Sequence, residues 1–355
     1  MRNSASVSHN VEVALEKIHG ELDLDRIAGP FPYPPFVNFK CSPLALREKS
    51  TPGKFRLLHN LSYPYDLSSV NLNIPDAAAN VSYASVTDAL DVINSLGSCF
   101  LSKSDIADAF RIVPLHPSQY RLTGFKIAKN YYFDKCLPMG ARSACQIFER
   151  VSDGLKYILQ NTYKVSHVIK VLDDFLFIGK TREECLYGLE CFKSLCNRVG
   201  VPLAAHKTVQ PTRNLSFLGI QMDTVTHMAS IPEEKLLAYK RNVHALSKEP
   251  GCSLRELKSL IGKLQFVCTI IPSGRCFLRR FHDLTMGKNN PNSYIKFPEW
   301  VKEDLGLWKL FLDKFNGRST FNFRWTTNSQ LLHFATDSSK AGFGGTFKNH
   351  FIQGS

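Results

Sequence analysis

Three aspartates, Asp105, Asp173 and Asp174, each end or bend an apolar stretch of the sequence. The adjacent pair Asp173 and Asp174 separates two apolar runs, at residues 168–172 and 175–179. Carboxylate oxygens are the ligands that Mg²⁺ prefers, and nucleotidyl transfer uses two such ions about 3.5–4 Å apart. An adjacent pair with a third carboxylate from a neighbouring strand suits that chemistry. A tight turn, in which Asp is common, is the alternative interpretation of the pair alone.

The strands that would position these aspartates are predicted from short apolar runs between turn residues. Runs at 43–46 and 55–58 flank a basic turn and predict one hairpin, and residues 168–179 predict another. The stretch from 99 to about 124 is also predicted to be strand-like. The proline-rich run at 29–35 cannot be helical and is predicted to be an extended connector on a surface.

Helices are predicted where apolar residues recur at helical spacing. The first of these covers Val86–Leu96, with Ser85 as its cap and Gly97 as its end. Two amphipathic helices are predicted at 144–159 and 183–199. Because helices alternate with antiparallel hairpins, the fold class is predicted to be α+β.

The C-terminal third changes in character and in charge. After Pro232 the pattern is mostly helical, and Ser253 with Glu256 forms a capping box at one helix start. The window 241–290 contains nine Lys or Arg and three Asp or Glu, so its net charge is +6. This basic helical part is predicted to contact a polyanion.

Composition excludes several classes of protein. The chain has 355 residues, 44% of them hydrophobic, which is enough to build a core and excludes wholesale disorder. Its net charge of +13 indicates nucleic acid or an anionic membrane surface as a partner. No apolar run approaches the roughly 20 residues of a membrane-spanning helix, so the chain is not expected to span a membrane. Of the two candidate partners, nucleic acid is the one expected, and no membrane partner is. The first thirty residues lack a secretory h-region, and the ten cysteines form no Cys-x-x-Cys pair. We therefore expect an intracellular, reducing compartment (cytoplasm or nucleus) and no secretion.

The ordered motifs between about residues 43 and 223 resemble those of reverse transcriptases. Residues 101–110 look like the family's first metal strand, and 171–174 look like its metal-binding hairpin, with Val171 where an aromatic is usual. The resemblance implies two Mg²⁺ ions, with Mn²⁺ as a substitute. The ligands it implies are Asp105, the Ile106 carbonyl, Asp173 and Asp174.

Other positions match the family's nucleotide-binding residues one at a time. Arg56 and Lys49 stand where two cations hold the triphosphate, and a guanidinium suits phosphate because it binds two oxygens at once. Ala109 and Phe110 fall at the sugar, where the aromatic ring excludes a 2′-hydroxyl. The alternative for Phe110 is an ordinary core Phe, and the alternative for Lys49 is a solvated surface lysine.

Three further motifs extend the resemblance. Residues 137–140 look like the turn beneath the incoming base, with Met139 and Gly140 as substrate contacts, although Met139 stands where Gln is common. Lys207 looks like the lysine that protonates the leaving pyrophosphate, with a surface lysine as the alternative. The primer grip is the hairpin that holds the primer terminus, and the resemblance assigns it to Phe217, Leu218 and Gly219.

Finer resemblances concern the kind of element and the end of the chain. Residues 29–31, 55–64 and 143–149 look like the polyproteins of DIRS-type retrotransposons, which integrate with a tyrosine recombinase. Residues 336–345 resemble the opening of a ribonuclease H domain, with Asp337 as its first metal ligand. That site needs further acidic residues downstream, so no ribonuclease H activity is expected of this chain.

The resemblance implies a right-hand polymerase with an antiparallel palm sheet, followed by a truncated ribonuclease H-like start. The predicted domains are an N-terminal extension and connector (1–42), fingers and palm (43–231), a helical thumb or connection (232–320) and the incomplete nuclease segment (331–355). The implied activity is RNA-directed DNA polymerase, and the implied partners are an RNA or DNA template, a nucleic-acid primer and dNTPs. The alternatives are an inactive nucleic-acid-binding relic of the same fold and a polymerase that makes RNA.

Overall fold

The computed structural model describes residues 2–48, 53–315, 318–320, 334–339, 342–347 and 350–354. The chain divides into two units, Met1–Ser319 and Thr320–Ser355. The helices within the described ranges are α1 (Ala5–His9), α2 (Val11–Asp23), α3 (Val86–Leu96), α4 (Ala144–Asn161), α5 (Arg182–Arg198), α6 (Glu233–Ser247), α7 (Leu254–Val267), α8 (Arg279–Asp283) and α9 (Glu299–Lys314).

The strands in the first half of the chain are β1 (Ile27–Phe31), β2 (Leu44–Glu48), β3 (Phe55–His59), β4 (Phe100–Asp105), β5 (Gly124–Ile127), β6 (Asn130–Asp134), β7 (His167–Val171) and β8 (Asp174–Gly179). Those in the second half are β9 (Val209–Thr212), β10 (Asn214–Phe217), β11 (Ile220–Asp223), β12 (Met228–Ser230), β13 (Gly251–Ser253), β14 (Tyr294–Lys296), β15 (Arg318–Thr320), β16 (Phe334–Ser338), β17 (Phe343–Phe347) and β18 (His350–Gly354). Mixed helices and antiparallel sheets confirm the α+β prediction.

The central sheet has the strand order β7-β8-β4-β9, and each neighbouring pair is antiparallel. Helices α4 and α5 pack on this sheet, since Phe148 and Leu155 from α4 share a buried cluster with Phe175 from β8 and with Leu189 and Phe192 from α5. A sheet covered by two helices therefore carries the strand ends at which the three aspartates lie.

A second cluster joins the N-terminal helices to two smaller sheets. Strands β1, β6 and β5 lie in that order, and β2 pairs with β3. Ala14 and Ile18 of α2 are fully buried against residues that include Leu44 and Phe125. The N-terminal segment is thus an integral layer of this part of the first unit.

The helical region after Pro232 has its own core. Leu257 and Leu264 of α7, Phe281 of α8 and Trp308 of α9 are fully buried. Helix α7 begins with the predicted capping box, in which Ser253 Oγ accepts from the Glu256 N–H at 3.2 Å and the Glu256 side chain accepts from the Ser253 N–H at 2.8 Å. No helix among the described residues is long and apolar enough to cross a membrane.

Several element predictions are confirmed and two are wrong. Helix α3 has its predicted bounds, with a capping box at Ser85 and a left-handed Gly97 after it. The stretch from 99 to 124 is strand only at β4, because two 3-10 helices, Ala109–Ile112 and Pro117–Leu122, follow it. The proline-rich run is a surface connector only in part, since its first three residues belong to β1, which pairs with β6.

The unit Thr320–Ser355 contains the antiparallel strand order β16-β17-β18 in its described residues. Strands β16 and β17 pair along their whole length, from Phe334 opposite Phe347 to Ser338 opposite Phe343.

Candidate active site

The fold brings two of the three aspartates into direct contact and the third beside them. In the β4–β8 pairing, Asp105 lies directly opposite Asp174, so that the two carboxyl groups can share a hydrogen bond when one of them is protonated. Asp173 lies in the turn just before β8, and its carbonyl oxygen accepts a hydrogen bond from the Ile106 N–H at 3.0 Å. Asp105 therefore meets a pair of aspartates 68 and 69 positions further along the sequence at one edge of the central sheet.

The electrostatics of this edge favour bound cations. Burial, the hydrogen bond to Asp105 and the charges of Asp105 and Asp173 together raise the pKa of Asp174 to about 7. Burial also raises the pKa of Asp173, and the Asp105 charge adds to the increase. Carboxylates that are costly to ionise side by side are stabilised when a positive charge lies among them.

Lys207 supplies one positive charge to this cluster. It ends a short 3-10 helix, Ala205–Lys207, and its Nζ donates to Asp105 Oδ2 at 2.5 Å. That hydrogen bond, with the surrounding carboxylates, raises the pKa of Lys207 and keeps the amine protonated. The lysine predicted from the sequence thus lies at the carboxylates, half exposed to solvent.

The donor set fits a hard divalent cation by its chemistry. All three side chains offer carboxylate oxygens, and the two that touch would otherwise repel each other. Within the described ranges, no three or more His, Cys, Asp or Glu side chains lie where they could together hold a metal ion as they stand.

A cavity of about 500 Å³ opens onto this cluster. Its lining includes Asp173, Lys207, Arg56 from β3, Ala109 and Met139. Three of the predicted nucleotide contacts, Arg56, Ala109 and Met139, thus line the same cavity as Asp173 and Lys207. Such a cavity can hold a phosphorylated ligand between Arg56 and the carboxylate edge.

Phe110 lies next to this cavity with its ring held in place. It follows Asp108, whose backbone is left-handed (φ +55°), and Ala109, which is buried. The Phe110 ring packs edge-to-face on Phe148 of α4, with 5.5 Å between the centroids. The ring therefore has a fixed position against α4, next to Ala109, which lines the cavity.

Gly140 lies where a side chain would not fit. A Cβ at this position would come within 1.7 Å of the His59 carbonyl oxygen. The Gly140 carbonyl accepts from Asn71 Nδ2 at 2.9 Å, which ties the turn to the segment after β3. Neighbouring Met139 is 40% exposed and lines the cavity.

The predicted primer-grip residues form the tight turn between β10 and β11. Leu218 and Gly219 both have left-handed backbones, with φ of +48° and +81°. The Phe217 side chain is buried (1% exposed), so the turn itself, and not that ring, is available at the surface. A Cβ on Gly219 would meet Lys235 of α6, so this turn packs against the helical region.

Lys49 and Asp337 are the remaining predicted site residues. Lys49 lies outside the described residues. Asp337 lies on β16 opposite Gly344, in the unit Thr320–Ser355.

A buried charge network beside the cavity was missed by the sequence analysis. Arg111 binds Glu21 of α2 through Nε at 2.8 Å and Asp134 of β6 through Nη1 at 2.8 Å. Asp134 also contacts His59 Nδ1 at 3.0 Å, while His59 Nε2 lies 3.1 Å from the Gly124 carbonyl. The signal in the sequence is Asp134 after the aromatic run 131–133, because such an acid needs a partner when buried.

Comparison with known proteins gives a consistent result. Residues 48–222 match the family model of reverse transcriptase (RNA-dependent DNA polymerase). The Gag-Pro-Pol polyprotein of Human T-cell leukemia virus 3 (strain 2026ND) is 24% identical over 261 residues, which are 70% of this chain and 16% of the polyprotein. The genome polyprotein of Petunia vein clearing virus (isolate Shepherd) is 28% identical over 175 residues, which are 48% of this chain and 7% of that polyprotein. The chain thus spans less than a fifth of the length of these relatives.

Solved structures with a similar fold are protease-reverse transcriptases of foamy virus. The complex of the dRH form with double-stranded DNA has a TM-score of 0.69 at 17% identity and matches 99% of this chain and 56% of that one. The complex with an RNA/DNA hybrid has a TM-score of 0.66 at 15% identity and matches 100% of this chain and 44% of that one. At this level of identity, the likeness shows a shared fold.

Proposed function

We propose that residues 48–222, which match the reverse transcriptase family model, form a reverse transcriptase domain of the retroviral and retroelement polyprotein type, and that the chain uses it as an RNA-directed DNA polymerase. The activity is the addition of dNTPs to a primer 3′-hydroxyl. One observation carries the proposal: Asp105 contacts Asp174, and Asp173, Arg56 and Lys207 line the cavity beside them.

Reverse transcriptases generally use divalent metal ions, and we propose two Mg²⁺ ions here, with Mn²⁺ as a substitute. Asp105, Asp173 and Asp174 with the Ile106 carbonyl would hold them. When bound, such ions activate the attacking hydroxyl and neutralise charge on the leaving pyrophosphate.

Arg56 and Lys207 are the proposed groups that hold and release the triphosphate. The Arg56 guanidinium can bind two phosphate oxygens at once, and Lys49 is proposed as a second cation. Lys207 holds its proton firmly because of Asp105, and once a nucleotide competes for that contact it can donate the proton to pyrophosphate. Electrostatic positioning then lowers the barrier, since phosphoryl transfer requires little covalent chemistry from the protein.

Phe110, Ala109 and Gly140 are the proposed groups that shape the nucleotide site. A Phe110 ring fixed on Phe148 would refuse a 2′-hydroxyl, which favours DNA over RNA as the product. Gly140 and Met139 would lie under the incoming base, where the missing side chain of Gly140 lets the backbone approach closely.

The proposed nucleic-acid partner is a primer–template duplex. The foamy viral enzymes are described in complexes with double-stranded DNA and with an RNA/DNA hybrid. Residues 241–290 of this chain have a net charge of +6, which suits a sequence-independent contact with phosphates. The turn Phe217, Leu218 and Gly219 is the proposed primer grip.

The finer assignments are part of the same proposal. Fingers and palm are assigned to 43–231, thumb or connection to 232–320, and the start of a nuclease segment, with Asp337, to 331–355. The DIRS-type origin is supported by the residue runs quoted above. Ten free cysteines support a reducing compartment.

Primer extension on poly(rA)/oligo(dT) with Mg²⁺ tests the activity. We expect dTTP incorporation by the unmutated chain and none by the Asp173→Asn, Asp174→Asn variant. An Asp91→Asn variant is the matched control, because it removes one exposed carboxylate from α3 and should extend normally.

Hybrid binding in the same samples separates the two main outcomes. A folded chain that binds the hybrid but never extends it is the inactive relic, and the polymerase proposal is then wrong. Equal use of UTP and dTTP would instead indicate a polymerase that makes RNA and would contradict the role given to Phe110.

A further inference from the structure

A buried ion pair between α4 and β7 lies next to the turn that carries Asp173. Lys170 of β7 is 3% exposed, and Glu149 of α4 is 7% exposed. Lys170 Nζ lies 2.8 Å from Glu149 Oε1, 3.1 Å from the Glu149 carbonyl oxygen and 2.7 Å from Asp153 Oδ1. All three ammonium donors therefore have an acceptor, and the charge is held in one position.

The second carboxylate oxygen of Glu149 reaches the turn itself. Glu149 Oε2 accepts a hydrogen bond from the Leu172 backbone N–H at 3.0 Å. Leu172 has a left-handed backbone (φ +52°), which a leucine adopts only when its surroundings hold it there. The turn is thus held from the helix side at Leu172 and from the β4 side by the bond between Ile106 and the Asp173 carbonyl.

Stability alone does not account for this pair. Apolar side chains of similar volume usually stabilise a buried position as well as an ion pair does, because the pair must lose its hydration. Around Lys170, residues 168 and 169 are apolar and buried, so an apolar residue would fit the pattern. What an apolar residue at 149 cannot do is accept a hydrogen bond from the Leu172 N–H.

We infer that Glu149 is a positioning residue for the polymerase reaction. It accepts from the Leu172 N–H and holds the left-handed turn that presents Asp173 and Asp174 to Asp105. Lys170 acts one step further away, by orienting the Glu149 carboxylate. The inference rests on the proposed function for its catalytic consequence, while the contact itself can be measured without activity.

Three variants separate positioning from stability. The double variant Glu149→Met, Lys170→Met replaces the ion pair by apolar groups and removes the acceptor. Glu149→Gln keeps an amide oxygen for the Leu172 N–H, and Lys170 then keeps Asp153 and the backbone carbonyl as partners. Leu155→Ala is the control, because it destabilises the same helix by removing a buried side chain that has no bond to the turn.

We expect the double variant to lose roughly 10–100-fold in kcat, the scale of a misplacement of about 1 Å, with little change in the KM for dTTP. Its Leu172 amide should exchange hydrogen faster than in the unmutated chain, by mass spectrometry of the peptide containing residues 171–174. Glu149→Gln should have a kcat and a Leu172 exchange rate close to those of the unmutated chain. Leu155→Ala should lower the thermal midpoint and leave kcat and the Leu172 exchange unchanged at temperatures where it is folded.

Two results would overturn the inference. One is a folded double variant whose kcat and Leu172 exchange rate equal those of the unmutated chain. The other is a loss of kcat in Leu155→Ala equal to that in the double variant, because the effect would then be one of general stability. If the unmutated chain extends no primer, the proposed function fails, and the exchange data alone still decide whether Glu149 holds the turn.

Discussion

Asp174→Asn should make the protein more stable while it removes the polymerase activity. Asp174 lies against Asp105, and burial together with the charges of Asp105 and Asp173 raises its pKa to about 7. At pH 8, with a chelator present, the folded chain must hold this carboxyl ionised among like charges. An asparagine carries no charge and can donate an N–H to Asp105, so the repulsion disappears.

The size of the effect follows from the change in pKa on folding. The pKa rises from 3.8 to about 7, and each unit corresponds to about 1.36 kcal/mol, which gives an upper value of about 4 kcal/mol. Asp174 is only partly buried, so screening by water reduces this to about 2 kcal/mol. For a chain of 355 residues, the thermal midpoint should then rise by roughly 3 °C.

The dependence on pH gives the sign of the effect. A carboxyl whose pKa is raised by folding stabilises the folded state below about pH 4 and loses that contribution as the pH rises through about 7. The advantage of Asp174→Asn should therefore be full at pH 8 and absent near pH 4.

Thermal unfolding in EDTA at both pH values is the assay, with Asp91→Asn as the control for removal of an exposed carboxylate. Equal or lower stability of Asp174→Asn at pH 8 would refute the account of this site as a cluster of repelling charges.

Three further predictions test the cavity and the thiols. In single-nucleotide extension, Phe110→Val should raise the kcat/KM for ribonucleotides relative to dNTPs by roughly tenfold or more. This is the usual effect on discrimination of removing one side-chain contact from a binding pocket. Gly140→Ala should cost about 1–3 kcal/mol in thermal unfolding and lower extension, because its Cβ would overlap the carbonyl oxygen of His59, a backbone atom that cannot rotate away. At pH 8, iodoacetamide should modify the exposed Cys276 and leave Cys196 unmodified by mass spectrometry, since burial raises the pKa of Cys196 to about 12.

Elements with strong local signals could be predicted from the sequence. Helix α3 has its predicted bounds because Ser85 satisfies free amides at its start and Gly97 adopts the left-handed backbone that ends it. The hairpin of β7 and β8 follows from two apolar runs around the pair of aspartates. In each case the determining interactions lie within a few residues of one another.

Predictions failed where distant contacts decide the local structure. The run that begins at Gly29 was predicted to be a connector, yet Gly29, Pro30 and Phe31 complete β1. A proline is tolerated there because β1 is an edge strand, paired with β6 on one side only. The sequence gives no sign of that partner, which lies about 100 residues away.

By itself, the sequence determined the chemistry available to this protein: three carboxylates at strand ends, cations and a glycine turn in a fixed order, and a basic helical region. Only the tertiary structure decided that Asp105 touches Asp174, that Arg56 and Lys207 line the same cavity as Asp173, and that Glu149 supports the turn. The physical reason is the separation along the chain over which each kind of interaction acts. Caps, turns and apolar periodicity act over a few residues, whereas sheet order and buried charge pairs depend on which distant segments pack together.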